Sequence, residues 1–183
     1  MSHETNYVPC PCGRGKKVKH CCGRPVVAEL EKIIRALAGD QRAAALNLTR
    51  TALKKTPDNP ALLSLQCQLE LEQEESDQST ETVDHLQRLL PDSPVAFAFR
   101  AVRAVQNKQV ETAVEHLQDA LEATSNSMCE LVYHALGAVA QALWYEQHFL
   151  GGMAHAALFE DVTPKNSGCR KICRSGWRSP PAG

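Results

Sequence analysis

Four cysteines stand within thirteen residues near the start of the chain: Cys10, Cys12, Cys21 and Cys22. Two close pairs of thiols, with eight residues between the pairs, can converge on one ion. Four thiolates at about 2.3 Å fill the tetrahedron that structural zinc prefers and leave no position for substrate water. Gly13 and Gly15 let the backbone curl between the pairs and turn amide N–H groups toward sulfur, and Gly23 can do the same after the second pair. Four thiolates on a divalent ion carry an excess of two negative charges. Arg14, Lys16, Lys17, Lys19 and Arg24 surround that excess with positive charge. Iron is the other ion the same thiolates hold. Two disulfides are the competing chemistry. They need an oxidising compartment, and Met1 to Val8 lacks the basic and apolar regions of an export signal. Adjacent Cys21 and Cys22 also point awkwardly for two separate bridges in so short a hairpin.

The stretch from Tyr7 to Pro25 resembles the SEC-C motif, the zinc-binding module found at the C-terminal end of the SecA preprotein translocase ATPase. The residues that carry the resemblance are Cys10, Cys12, Gly13, Gly15, Lys16, Lys17, Cys21 and Cys22. Arg14 stands where that family usually has serine, and the module lies at the N-terminus of this chain. The resemblance implies Zn2+ at the four cysteines and docking to protein partners, among them the export chaperone SecB and the ribosome. It brings no motor activity: a phosphate-binding loop needs Gly where Cys10 stands and Ser or Thr where Lys17 stands.

The elements that must carry this module are helical. The chain has 183 residues, 43% of them hydrophobic and only 5% aromatic, with Leu, Ala and Val predominant, as packed helices require. The longest apolar region, Ala135 to Tyr145, is far short of the roughly 20 residues that cross a bilayer. A net charge of -1 conceals a division. Residues 1–25 hold five Lys or Arg against one Glu, residues 26–168 hold eleven against twenty acids, and residues 169–183 hold four against none. A basic finger, an acidic body and a basic tail follow from that division, and their partners should differ.

Within the body, Pro57-Asp58-Asn59-Pro60 recurs as Pro91-Asp92-Ser93-Pro94, 34 residues on. That is the tetratricopeptide period. Ala45 and Ala52 recur at Ala113 and Ala120 two periods later. A long polar connector, Gln73 to Ser79, delays the second helix of the middle repeat. The pattern predicts helices over Val26–Leu37, Gln41–Lys55, Pro60–Gln73, Glu81–Leu90, Pro94–Asn107, Gln109–Ala123, Ser127–Gln147 and Gly152–Glu160. Pro60 and Pro94 suit first helical turns, where a missing N–H costs nothing. From about Gln41 to Pro164 the chain resembles tetratricopeptide repeat proteins. Leu136-Gly137 matches a signature pair, while most aromatic signature positions are unfilled.

The expected fold class is therefore all-α: antiparallel helical hairpins of an α-solenoid with a small zinc-binding hairpin in front. A plain helical bundle is the alternative. The expected division is a SEC-C-like module at 1–25, a tetratricopeptide-like domain at 26–166 and a basic, disordered tail at 167–183. Cys67 and Cys129 read as buried residues of apolar helices, the glutamates as a solvated face, and His85 and His116 as polar-face residues. His134, His148 and His155 form no ligand set, and Cys169 and Cys173 make at most half a metal site.

No Ser-His-Asp or Cys-His pattern indicates an enzyme. The expected function is a cytoplasmic, zinc-binding adaptor that holds a protein or peptide partner. The alternative is a ribosome- or RNA-binding protein using the basic hairpin, in which Tyr7 and His20 are the only stacking residues. Acid or a chelator should unfold the finger and leave most of the helix intact.

Overall fold

A computed structural model describes residues 5–72, 76–124 and 128–162. The chain is all-helical: α1 (Val27–Ala38), α2 (Arg42–Leu53), α3 (Pro60–Glu72), α4 (Ser76–Leu89), α5 (Pro94–Gln106), α6 (Val110–Glu122), α7 (Glu130–Tyr145) and α8 (Phe149–Val162). Among the described residues the sole β feature is one antiparallel bridge, between Pro9 and Lys17. No helix of the described residues is long and apolar enough to cross a membrane.

The burial pattern sorts the helices into two layers. In α6 only one stripe is buried, Ala113, Leu117 and Ala120, at the three- and four-residue spacing of a helix that faces its neighbour on one side. In α5 and α7 nearly every side of the helix is covered; Val95, Ala96, Ala101 and Ala104 of α5 lie in different directions around its axis and are all buried. Helix α3 is the same, buried from Ala61 through Leu71 apart from two half-buried positions. Helices α3, α5 and α7 touch in that order, and α4, α6 and α8 each pack on the helix before them. Small residues permit the close approach. A Cβ on Gly152 of α8 would stand 3.3 Å from the Ala140 carbonyl oxygen and the Trp144 nitrogen of α7.

The connections repeat as well as the helices. Asp40, Lys108 and Gln147 each occupy the left-handed region, with φ of 55°, 59° and 64°. After each, the next residue's N–H reaches back five residues: Gln41 to Ala36 O at 2.9 Å, Gln109 to Ala104 O at 2.8 Å and His148 to Leu143 O at 2.8 Å. This closes the exposed carbonyl end of a helix in one sharp turn. Asp40 and Lys108 lie two 34-residue periods apart. The helix starts repeat at the same interval. Asn59 Oδ1 accepts from the N–H groups of Ala61 and Leu62 at 3.1 and 3.2 Å, and Ser93 Oγ accepts from Ala96 N–H at 3.3 Å.

Three helix starts differ from the sequence expectation by three residues or more, α7 among them, at Glu130 instead of Ser127. Helix α4 begins at Ser76, inside the stretch read as a polar connector, and α8 begins at Phe149 instead of Gly152. Polarity signals solvent exposure and does not by itself exclude helix. The glutamates are not uniformly solvated either. Glu70 is fully buried, held by Arg50 Nη2 at 3.1 Å, Gln66 Nε2 at 2.6 Å and Thr82 Oγ1 at 3.0 Å, and so joins α2, α3 and α4. The expected tail at 167–183, with Cys169 and Cys173, lies outside the described residues.

Candidate metal centre

The finger is built from one tight hairpin followed by two single-turn 3-10 helices. Val18 N–H bonds to Val8 O at 3.0 Å and Cys10 N–H to Lys16 O at 2.8 Å, closing a loop that carries Cys10 and Cys12. Gly13 and Gly15 take φ of 77° and 66°, the left-handed geometry for which glycine has no steric cost. The turns Val18–His20 and Arg24–Val26 then fold the chain back, with Cys21 N–H on Val18 O at 3.1 Å and Arg24 N–H on Cys21 O at 3.1 Å. Cys21 and Cys22 are thereby brought over the loop.

All four sulfurs lie within 4.8 Å of one another. Cys10 to Cys22 is 3.7 Å, Cys12 to Cys21 is 3.4 Å and Cys21 to Cys22 is 3.9 Å. A tetrahedron of thiolates at about 2.3 Å from a central ion has edges of roughly 3.8 Å. These separations also exceed the roughly 2.0 Å of a disulfide bond, and all four cysteines are free. The donor set therefore fits one four-coordinate metal ion. Cys10 and Cys12 are buried and Cys21 and Cys22 half-buried, so the site is closed.

The crowding of four thiols perturbs their protonation. Cys12 is pulled far down, first because hydrogen bonds from Cys10 and Cys22 favour its thiolate, with the Arg14 amide N–H adding to the effect. Cys10 is pushed up to about 12, chiefly by donating its proton to Cys12. Cys22 is raised, chiefly by its hydrogen bond to Cys10. A bound cation would stabilise the thiolate form of every member of such a cluster. Arg14 responds in the same sense. Its guanidinium is held in the charged form first by Cys12, and its Nη2 lies 3.9 Å from Cys21 Sγ.

Of the basic residues, Arg14, Lys16, Lys17 and Arg24 are exposed and Lys19 is half-buried. Lys19 Nζ lies 4.0 Å from the centre of the Tyr7 ring and Lys17 Nζ lies 5.5 Å from it. The ring that sequence reasoning offered for base stacking is thus engaged by two ammonium groups.

Sequence reasoning missed how the finger is seated. Asn59, the cap of α3, donates from Nδ2 to the Cys22 carbonyl at 3.0 Å. A Cβ on Gly13 would meet Pro94 Cγ at 2.9 Å, Val95 Cγ2 at 3.1 Å and Cys129 Sγ at 3.4 Å. The finger therefore rests on the N-terminal ends of α3, α5 and α7. Its Cys10, Cys12 and Val18 belong to the same buried cluster as the helices. Cys129 is not inside a helix, as its apolar surroundings suggested. It is the residue before α7, and its thiol is raised first by burial. Cys67 is buried within α3 as expected. His85 pairs with Asp58 at 2.9 Å, and His116 stands 3.9 Å from Asp119; neither joins a ligand set among the described residues.

Residues 8–24 match the SEC-C motif family, and the match contains all four cysteines. No curated protein and no solved structure matches the chain.

Proposed function

We propose that the chain is a zinc-binding adaptor: the ion folds the finger, the finger is fixed on the helical body, and the assembly holds a protein or peptide partner. The observation that carries the reading is the four-sulfur cluster at tetrahedral spacing inside the SEC-C match. Zn2+ would be held by Cys10, Cys12, Cys21 and Cys22, and it would supply charge neutralisation and a cross-link between the two halves of the hairpin. A closed site with four protein ligands suits structure and gives no support to hydrolytic chemistry, so the reading is non-enzymatic.

Partner binding is assigned to Arg14, Lys16, Lys17, Lys19 and Arg24 around the metal, together with the tetratricopeptide-like helical array. By the SEC-C resemblance, an export chaperone of the SecB kind and the ribosome are the partners to test first. Free thiols in the finger suit the reducing cytoplasm. A polyanion reading rests on the same basic residues. The lysine contacts to Tyr7 favour the protein partner over single-stranded RNA, because the stacking face is shared with cations of the chain itself.

Elemental mass spectrometry on protein purified without a metal-affinity tag tests the centre. One zinc per chain, lost when Cys21 and Cys22 are both changed to Ser, supports it; iron in its place would replace the ion, and absence of metal from freshly reduced protein would remove the reading. Salt-tolerant peptide binding would support the adaptor, whereas RNA binding that weakens steeply with salt would favour the polyanion alternative.

A further inference from the structure

We propose that the outer face of α7 and α8 is the interface between two copies of this chain. From Phe149 to Phe159, α8 carries a single polar side chain, His155, and its Nδ1 lies 2.9 Å from the Gly151 carbonyl oxygen of the same helix. A helix apolar on every side is one that is covered on every side. In α8 only one side is covered: Gly152, Ala156 and Phe159 are buried. Away from that side Leu150 is 86% exposed and Met153 59%, and at the end of α7 Tyr145 is 72% exposed. Phe149, Leu158 and Trp144 are partly exposed beside them, with the rings of Trp144 and Phe149 edge to face at 5.2 Å.

The size of this surface points to the occupant. With roughly 200 Å² for a large side chain in the open, the six residues present on the order of 600 Å² of apolar surface. A stable dimer buries about 800 Å² on each partner, so a core of this size with a polar margin meets the requirement. The face is also complementary to itself. Leu150 lines a groove of about 680 Å³ together with Val110, Val114, Leu143 and Phe149, and is the most exposed of them. A two-fold axis requires a projection and a recess on one patch, so that each copy fills the other. Leu150, with Tyr145 and Met153 beside it, is the projection, and the Val110–Val114 groove is the recess.

Sedimentation of the full, metal-loaded chain under reducing conditions, from low to high micromolar concentration, tests the proposal. The expected result is a dimer. Leu150→Glu and, separately, Met153→Lys should each weaken association roughly tenfold or more while leaving the far-ultraviolet helical signal unchanged, because both residues are exposed in the single chain. A wild-type chain that is monomeric throughout the range overturns the proposal. If a chain ending at Val162 then dimerises, residues 163–183 are the occupant in its place. A dimer that neither substitution weakens also overturns it, because its interface lies elsewhere.

Discussion

Asn59 serves the helix and the finger with the two ends of one amide. Its Oδ1 accepts from the first turn of α3, and its Nδ2 donates to the carbonyl of Cys22 at 3.0 Å. Removing the amide should therefore cost both interactions. Asn59→Ala is expected to lower stability by about 2 kcal/mol, cap and hydrogen bond together. It should also speed metal loss to a chromogenic chelator. Asn59→Asp retains the capping oxygen and loses the donor, so its stability loss should be about half as large while the metal still leaves faster. Equal behaviour of the two variants in chelator competition would be expected; metal release at the wild-type rate in both would show that the clamp does not reach the site.

The shared core changes what metal removal should do. The sequence expectation was a finger that unfolds alone, yet Cys10, Cys12 and Val18 pack in one cluster with the helices. Chelation should leave most helical signal at room temperature but lower the melting temperature of the entire helical transition, on the order of 10 °C for a loss of a few kcal/mol. Acid should act in the same direction. Ligation requires thiolates and releases protons, so binding weakens as pH falls. Thermal melts followed by circular dichroism, with and without chelator, check this; coincident melts would mean that the finger contributes nothing to the body.

Gly13 is doubly constrained. Its φ of 77° disfavours any L side chain, and its Cβ position lies 2.9 Å from Pro94 Cγ, a ring that cannot swing away. Gly13→Ala should destabilise by about 2 kcal/mol or more and loosen the finger from α5. Denaturant titration gives the loss, and iodoacetamide labelling of Cys129, which packs beside Gly13, reports the loosening. Labelling as slow as in the wild type would indicate that the finger has kept its seat.

The four-cysteine cluster was legible because a shared ion imposes a local demand. Four thiols must meet within a few ångströms, so their spacing and the intervening glycines are visible in a short stretch of chain. Helix starts at Pro60 and Pro94 were legible for the same reason: ring geometry and a capping oxygen act within three residues. The seat of the finger was not, because it joins Cys22 to Asn59 and Gly13 to Cys129, and nothing in the residue types marks those distant pairs. Cys129 looked like one more apolar helix residue, and only the packing shows that it faces the finger. In the same way, the start of α4 at Ser76 was concealed by residues that serve equally well in a polar loop or a helix start.

Glu70 was the least legible residue, since a glutamate in an acid-rich segment is ordinarily solvated. Its carboxylate is fully buried and is satisfied from three directions, by Arg50, Gln66 and Thr82. A buried carboxylate is tolerated only when its acceptor capacity is filled, and here the donors come from three successive helices. Glu70→Ala would remove the carboxylate that Arg50, Gln66 and Thr82 share and open a cavity, for an expected loss of about 3 kcal/mol. Glu70→Gln keeps the volume but weakens the charge-assisted contact to Arg50, which is itself partly exposed, so a loss of about 1–2 kcal/mol is expected. Arg50→Ala combined with Glu70→Gln should cost less than the two changes separately, because the second removes an interaction that the first has already lost. Urea unfolding of the four proteins measures the coupling directly, and strict additivity would show that Glu70 is held by Gln66 and Thr82 alone.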